Sequence, residues 1–526
     1  QLAADIARRF GPDGNTGVRL NAATHNGGTA INDEDAKLGL LAVGLDWRSR
    51  DVRLSGDLGW QDHQLKRTRT NVTLGAGVTS VPTVPDNQSN HAQPWSYSNE
   101  RDTFGTFRGE WDITQDVTAW AAAGARRSEE ANSLANITVN NGSTGAATAY
   151  RFDNTRKDIV NTGELGVRGK LQTGSVGHEW VASASLFDFE KKNAYAMDSR
   201  NTLATNLYGP VSTNLPAFSG TTLYGGDLAN PLRTGTTRLT SFAVGDTLTL
   251  LDKRLLLTAG VRHQKIDIGN YAYGTAALTS RYEQNRTSPL LAAVVKLDKS
   301  VSLYANYVEG LSQGQTAPST ATNRGEMLKP YVAKQKEVGV KYDAGRVGGS
   351  LAFFSTDKPR AFLNSSNLFG TYGKDRHQGL ELAVQGEATQ GLRLLGGLTW
   401  LDAQQQATGS ATTDGKRVIG VPEVQANIGA EWDVPGVRGL AVDGRLVHTG
   451  SSYANATNTL KVGGWNRLDL GVRYLTEVQG KLVTLRLRID NVADKNYWAS
   501  VGGYPGSGYL TVSAPRTVSL SASVDF

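Results

Sequence analysis

The side chains that most often carry catalysis or bind metals are few and scattered in this sequence. Cysteine is absent. The seven histidines show no spacing typical of metal ligands, and no nucleophile elbow of the Gly-x-Ser-x-Gly type is present. The sequence therefore predicts no enzyme, no catalytic residue, no metal centre and no intrinsic cofactor. The histidines are His25, His63, His91, His178, His263, His377 and His448.

One carboxylate cluster, Asp33-Glu34-Asp35, lies in a stretch that we assign to a loop. Carboxylate oxygens suit calcium or a cation bridging to lipopolysaccharide. A solvated loop explains the same residues, and we favour that interpretation.

Aromatic residues in long polar stretches are the candidates for ligand binding. Aromatic faces give a ligand a large rigid contact area, and the polar tips of Tyr and Trp add hydrogen bonds. For each residue taken alone we favour a role at the membrane boundary or in loop packing, and we expect some members of the set to form the pocket. Arg126, Arg127 and Arg151 lie near a loop base, where they could attract an anionic ligand or be solvated. The predicted ligand-binding set is Trp95, Tyr97, Tyr195, Tyr208, Phe369, Tyr372, Tyr497 and Trp498.

The segments that would position these residues alternate apolar and polar side chains with period two. From Thr517 to Phe526, apolar residues take one face while Thr, Ser and Asp take the other. Around Leu487, apolar residues alternate with Arg486 and Arg488. Because side chains alternate sides along a strand, this pattern predicts one apolar and one polar face. We count 21 such strands.

Two kinds of connection alternate along the chain. Ten are short and rich in Gly, Asp, Asn and Pro, which tolerate turn dihedrals. The others are longer and polar; they include 131–149, 359–370 and the longest, 193–233. This arrangement predicts an all-β fold, a transmembrane antiparallel β-barrel with short turns inside and long loops outside. Five tryptophans near short turns indicate an aromatic girdle, with scattered core residues as the alternative: Trp47, Trp111, Trp120, Trp180 and Trp432.

Strand parity predicts the size of the barrel. A chain that starts outside and ends inside has an odd number of strands, whereas single-chain bacterial barrels are even. We therefore expect 22 strands, with about 21 in this chain and one before Gln1. Barrels of that size are plugged transporters. We treat residues 1–526 as one barrel domain.

Composition excludes other classes of protein. The 55 basic and 49 acidic residues are interspersed, giving a net charge of +6, which argues against a nucleic-acid arm. No apolar run approaches about 18 residues, so no transmembrane helix is expected. A passive porin remains the alternative, with 193–233 as its constriction loop.

Several stretches resemble TonB-dependent siderophore receptors of the ferrichrome type, over most of the chain and in the barrel portion only. Their motifs are weak singly and specific together. They are VSLYANYVEG from Val301, LKPYVAKQKEVGVKYD from Leu328, GLELAVQG from Gly379, LRLRIDNVADKNYWAS from Leu485, and Ala514-Pro515-Arg516 before the last strand.

The resemblance implies a receptor of the bacterial outer membrane that imports a ferric siderophore with energy from TonB. The family's N-terminal plug and TonB-binding segment have no counterpart in this sequence. The expected partners are the ferric siderophore, TonB, the barrel-assembly machinery, and outer-membrane lipid with lipopolysaccharide. We expect a monomer, with Phe526 as the assembly signal. Heme, cobalamin or a saccharide are alternative ligands, and hydroxamate is the expected siderophore class.

Overall fold

The computed structural model describes residues 1–502 and 508–525. One 3₁₀ turn at Pro12–Gly14 and 28 strands lie in these residues. The strands are β1 Leu2–Phe10, β2 Thr16–Gly28, β3 Asp35–Arg48, β4 Val52–Lys66, β5 Thr73–Leu74, β6 Tyr97–Asp112, β7 Val117–Val139, β8 Ala146–Thr173, β9 Val176–Met197, β10 Leu203–Asn206, β11 Leu223–Gly225, β12 Arg233–Leu250, β13 Leu255–Tyr271, β14 Leu278–Lys296, β15 Val301–Ser312, β16 Tyr331–Asp343, β17 Val347–Leu363, β18 Phe369–Thr389, β19 Leu392–Gln406, β20 Val424–Asp433, β21 Leu440–Thr449, β22 Ser452–Tyr453, β23 Lys461–Val462, β24 Trp465–Val478, β25 Lys481–Asp490, β26 Trp498–Gly502, β27 Tyr509–Val512 and β28 Thr517–Val524.

The number of long strands in the described residues agrees with the predicted 21. Twenty-one strands have eight or more residues, and the other seven, which lie within long connections, have five or fewer. All ten short turns separate long strands where the sequence places them, with left-handed residues such as Gly174 and Gly391 in several of them. The 22nd strand and closure of the barrel stay predictions.

The chain divides into two compact units, each built as an antiparallel meander. Unit 1 comprises Gln1–Thr70, Asn90–Thr138 and Ala147–Leu291. Unit 2 comprises Asn71–Ser89, Val139–Ala146 and Ala292–Phe526. In unit 1, β1 to β4 pair in sequence order, β4 pairs with β6 and β6 with β7. In the same unit β9 pairs with β8 and β12, and β12 with β13.

Unit 2 continues the same order of pairing. Each of β15 to β20 pairs with the next strand, and then β21 pairs with β24, β24 with β25, and β25 with β28. The register places Leu487 opposite Val472 on one side and Leu520 on the other. Arg486 lies opposite Arg473 and Ser521, so apolar and polar residues keep to separate faces across three strands.

Large apolar side chains are exposed along one face of the strands in each unit. Leu58 is 67% exposed in unit 1, and Val338 is 53% exposed in unit 2. A contiguous apolar surface of this kind is what a membrane or a protein partner covers. The described residues contain no helix long and apolar enough to cross a membrane.

The tryptophan girdle is only partly as expected. Trp47, Trp111 and Trp432 are exposed, and Trp180 is half-buried opposite Gly169. Trp120 is different, since it is only 8% exposed. It shares the polar face with Glu110, its partner across β6 and β7.

Trp120 is held by polar partners rather than by a membrane boundary. Its indole N–H donates to Glu164 at 2.6 Å. The guanidinium carbons of Arg108 and Arg168 lie 6.0 and 5.6 Å from the ring centroid, within the range of cation–π attraction. The expectation that Trp120 belongs to the girdle is therefore wrong.

Two predicted loops are mostly strand. The stretch 131–149, expected as a loop, contains only residues 140–145 between β7 and β8. The stretch 359–370 is strand up to Leu363 and again from Phe369. Both are rich in Asn, Thr, Ser or Gly, which favour turns locally, but pairing with neighbouring strands overrides that preference.

A strap made of residues Asn71–Ser89 lies in unit 2, between β4 and β6 in sequence. Val72 exchanges backbone hydrogen bonds with Leu510, at 2.8 and 2.9 Å, and both residues are fully buried. The Trp498 indole donates to the Pro82 carbonyl at 2.9 Å. Asn87 bonds to Asn496 and to the Lys495 carbonyl. The strap is therefore fixed to the connection between β25 and β28.

The C-terminal assembly signal expected at Phe526 lies outside the described residues.

The two faces of β25 can be tested by substitution. Leu487→Arg should destabilise the protein folded in a bilayer by about 2–4 kcal/mol, because it places a charge on the apolar face. Arg486→Ala, one residue away on the polar face, is the control and should have little effect. Equal stabilities in urea titrations of the two variants in lipid vesicles would contradict the assignment of faces.

One of the bonds that hold the strap comes from a buried side-chain donor, the indole of Trp498. Trp498→Phe removes the indole N–H and leaves the Pro82 carbonyl without its partner, which costs about 1–3 kcal/mol for a buried group. Hydrogen exchange at the amides of Val72 and Gly75 should then speed up about tenfold or more. Trp400→Phe is the control, since that indole is exposed. Unchanged exchange in the strap would show that the Trp498 bond does not hold it.

Candidate functional site

An aromatic cluster forms in unit 1 where strand ends meet long connections. Phe152 on β8 stacks against Tyr195 on β9 with ring centroids 6.3 Å apart. Tyr273, just after β13, meets Tyr195 edge-on at 5.0 Å. The Tyr273 hydroxyl accepts a hydrogen bond from Asn193 at 3.3 Å. We call Phe152, Tyr195 and Tyr273 the Tyr195 cluster.

The short strand β11 sets the position of the Tyr195 ring. Gly225 pairs with Tyr195, and Tyr224 pairs with Ala196. A Cβ atom added at Gly225 would lie 2.2 Å from Cε1 of Tyr195. The ring therefore occupies the space that any larger residue at position 225 would fill.

Beside this cluster, Arg151 serves the loop rather than a free anion site. Its guanidinium carbon lies 3.9 Å from the centroid of Phe218, which meets Tyr224 edge-on. Its nitrogens donate to both carboxylate oxygens of Asp153 and, at 2.7 Å, to the carbonyl of Pro216. With its charge paired and its donors engaged, Arg151 holds the connection between β9 and β12 in place.

Two buried polar side chains organise the same connection. Asp198 accepts hydrogen bonds from the backbone and hydroxyl of Ser219, at 3.0 and 2.6 Å. These bonds, the hydroxyl bond foremost, hold the pKa of the Asp198 carboxyl below its usual range. Gln93 accepts from the Thr213 amide and donates to the Val211 carbonyl. Nothing in the sequence pattern singled out Asp198 or Gln93.

His91 lies in the connection that carries Gln93 and has a structural role. Its Nε2 is 2.9 Å from the Thr70 carbonyl. Burial lowers the pKa of His91 to about 4. The imidazole is therefore neutral at pH 7 and donates its N–H to that carbonyl.

The other predicted residues of unit 1 are spread over different environments. Trp95 is half-buried, and its indole nitrogen has no hydrogen-bond partner in the part of the chain that the structure describes. Tyr97 lies opposite Lys66 at the outer end of the apolar face, beyond Trp60. Tyr208 is exposed within the connection between β9 and β12. Only Tyr195 of the predicted set belongs to the Tyr195 cluster.

In unit 2, Phe369 and Tyr372 lie at the outer end of β18. The Asn323 side chain donates to the Phe369 carbonyl and accepts from its amide, both at 2.9 Å. Tyr372 meets Phe362 edge-on at 5.5 Å and remains exposed. Tyr372 can therefore contact a ligand, whereas the Phe369 backbone is fixed within the loop.

Tyr497 and Trp498 are buried by loop packing. Tyr497 stacks on Trp465 with centroids 4.3 Å apart. Trp498 contacts the strap through the Pro82 bond described above. Their rings stabilise the connection between β25 and β28 and expose little surface.

The acidic stretch in the loop before β3 has partners of its own. Arg67 lies 3.0 Å from Asp33, and Thr29 donates to Glu34. Within residues 1–502 and 508–525, no group of three or more metal-ligating side chains could hold an ion.

Sequence reasoning missed Phe152 and Gly225. Phe152 follows the stretch 131–149 by three residues, and no local pattern distinguishes it from other apolar strand residues. Gly225 carries no side-chain signal, although the adjacent Tyr224-Gly225-Gly226 marks a place where an aromatic residue accompanies flexible backbone.

Comparison with known proteins gives a consistent result. Residues 41–492 match the family model described as TonB dependent receptor-like, beta-barrel. The chain is 35% identical to the ferrichrome receptor FcuA of Yersinia enterocolitica, covering 100% of this chain and 69% of that protein. It is 24% identical to PiuA, a probable TonB-dependent siderophore receptor of Acinetobacter baumannii, covering 82% of this chain and 61% of that protein. The chain thus spans between three fifths and seven tenths of these relatives.

Solved structures agree with the sequence relatives. The crystal structure of BauA, the ferric preacinetobactin receptor of Acinetobacter baumannii, superposes with a TM-score of 0.91 at 31% identity, covering 100% of this chain and 77% of that one. The match covers most of the chain and the folds coincide, so this protein belongs to the TonB-dependent receptor β-barrel family.

Proposed function

We propose that this protein is an outer-membrane receptor that binds a ferric siderophore and imports it with energy from TonB. Import and coupling to TonB are general to the family, and the relatives named above are siderophore receptors. The observation that carries the proposal is the Tyr195 cluster, which offers aromatic faces and a tyrosine hydroxyl at the outer end of unit 1.

The charges around the outer strand ends favour a neutral chelate. In unit 1, Arg151 pairs with Asp153, Arg156 with Asp158, and Arg233 with Glu190.

In unit 2, Arg360 lies 3.2 Å from Asp375, and Arg467 lies 3.0 Å from Asp469. A guanidinium paired with a carboxylate has little net field left to attract a distant anion. A ferric tris-hydroxamate is uncharged, whereas a ferric tris-catecholate carries three negative charges. We therefore propose the hydroxamate class.

Two alternatives to a siderophore receptor are a passive porin and a receptor for another ligand. A passive porin needs no ligand-shaped aromatic cluster, and the family match disfavours it. Heme, cobalamin or a saccharide are alternative ligands of a TonB-dependent receptor. No observation in either unit favours one of them over a siderophore.

Ligand preference tests the proposal directly. The full-length receptor should bind ferrichrome at least tenfold more tightly than its iron-free form, measured by intrinsic fluorescence quenching or calorimetry. It should also prefer ferrichrome to a ferric tris-catecholate, because the arginines named above at the outer strand ends are already paired with carboxylates. Preference for the catecholate would reject the hydroxamate class, and binding of heme or cobalamin alone would reject the siderophore function.

Gly225 allows a test of the Tyr195 cluster without altering an aromatic residue. Gly225→Ala should displace the Tyr195 ring and weaken ferrichrome binding about tenfold, since an aromatic pair contributes about 0.5–1.5 kcal/mol. Gly220→Ala is the matched control in the same connection, because a Cβ there meets nothing within 4 Å. Wild-type affinity in Gly225→Ala would show that the Tyr195 cluster does not contact the ligand.

A further inference from the structure

A cavity of about 500 Å³ lies on the polar face of unit 2, across β19, β20, β21, β24 and β25. Its lining contains more guanidinium groups than carboxylates, five against two. What the cavity can bind depends on how many of those positive charges the protein itself neutralises. The arginines are Arg393, Arg445, Arg473, Arg486 and Arg488.

Two of these arginines have carboxylate partners on β20. Arg393 lies 2.7 Å from Glu431 and 2.6 Å from Asp433. Arg473 lies 2.9 Å from Glu431 and 3.7 Å from Asp433. The two guanidinium groups and the two carboxylates therefore form a group without net charge.

Arg445 and Arg486 have no such partner. In the part of the chain that the structure describes, no carboxylate lies within ion-pair distance of either guanidinium. Arg445 donates instead to the side-chain oxygen of Asn427 at 2.8 Å. The fifth arginine, Arg488, lies 2.8 Å from Asp490. Two positive charges that line one cavity thus lack a counter-ion among the described residues.

Arg486 also faces another cation. The register of β24 and β25 places it directly opposite Arg473, so the two side chains lie on the same face. Like charges in such a pair destabilise a sheet. Both carboxylates that bind Arg473 come from β20, on the side away from Arg486. The space beside Arg486 is therefore left positive.

On its other side Arg486 has hydroxyl neighbours. Ser521 of β28 lies opposite Arg486, and Ser519 lies opposite Arg488. Residues two apart on a strand share a face, so both serines lie on the polar face beside the arginines. A hydroxyl can donate to the oxygens of an anion without adding negative charge. Guanidinium groups and hydroxyls are donors that contact phosphate oxygens in proteins.

We propose that this cavity binds a phosphate-type oxyanion, with Arg486 and Arg445 supplying the charge and Ser521 a neutral donor. The planar fork of a guanidinium matches two oxygens of a phosphate group. A cavity of about 500 Å³ also has room for an organic group attached to the phosphate. Inorganic phosphate and a phosphate monoester are therefore the two sources of this chemistry. The inference is independent of the siderophore and of the residues proposed to bind it.

Arginine labelling of the full-length protein in a neutral detergent tests the site. Phenylglyoxal modifies accessible guanidinium groups, and peptide mass spectrometry reports the rate at each arginine. Two hydrogen bonds to charged groups correspond to a dissociation constant of about 1 mM. Inorganic phosphate at about 10 mM should therefore slow the modification of Arg486 about tenfold relative to chloride at equal ionic strength. Arg254, an exposed arginine just before β13, is the internal control and should react equally fast in both salts.

Glycerol 1-phosphate, tested in the same way, distinguishes the two sources. Protection by both compounds identifies the phosphoryl group as the part that is bound, and protection by inorganic phosphate alone identifies the free anion as the ligand. Equal rates at Arg486 in phosphate and in chloride would overturn the proposal. So would equal protection by acetate, or an Arg486 that phenylglyoxal fails to reach in chloride, since the protein itself would then close the cavity.

Substitution of Arg486 gives a second measurement, the broadening of the phosphate resonance in ³¹P NMR by the full-length protein. Arg486→Ala should bind phosphate about tenfold more weakly than the wild type, because it removes one charged donor. Arg486→Lys keeps the charge without the planar fork and should lie between the two. Arg254→Ala is the matched control and should broaden the resonance as the wild type does. Wild-type broadening by Arg486→Ala, with its fold confirmed by urea titration, would contradict the assignment.

Discussion

Backbone hydrogen bonding between neighbouring antiparallel strands is the constraint on which the rest of this structure depends. A strand that faces lipid has no water to satisfy its amides and carbonyls, so its partners must be other strands. Within each unit several ladders run without interruption over ten or more residues, as between β12 and β13 and between β15 and β16. Register then decides which side chains lie on the apolar face. A slip of one residue on β25 would move every side chain of the strand to the opposite face. Arg486 would then lie on the apolar face and Leu487 on the polar one.

The long connections also need hydrogen-bond partners for their backbone groups. Their backbone groups cannot all join a ladder, so buried side chains supply the missing partners. Asp198 and Gln93 do this in unit 1, and Asn87 and Trp498 do it in unit 2. The connections are consequently ordered platforms. One of them holds Tyr195 against Gly225, at a spacing that leaves no room for another side chain.

Charges fall into two groups with different surroundings. On the polar faces, arginines such as Arg156 and Arg467 are paired with carboxylates, which fixes their geometry and reduces their long-range field. On the outer border of the apolar face, Lys334 and Lys336 have no such partner among the described residues. The first group adds little net field to the polar faces, whereas the second leaves positive charge exposed beside the apolar face. The distinction depends on which face each residue occupies, since the residue types are similar.

The sequence alone determined the number of long strands, the ten short turns and the separation of faces, because these follow from period-two patterning and turn chemistry within a few residues. It also identified the family, through motifs such as those starting at Val301 and Leu328. It could not locate the Tyr195 cluster, since Phe152, Tyr195 and Tyr273 lie on or beside three different strands that are distant along the chain. It misassigned Trp120, whose partner Glu164 lies 44 residues away. It gave no sign that Tyr497 and Trp498 would be buried, because the strap that covers Trp498 comes more than 400 residues earlier. Local pattern specifies which strands form and which way they face. Only tertiary packing decides which loops meet, because those contacts join segments that share no local signal.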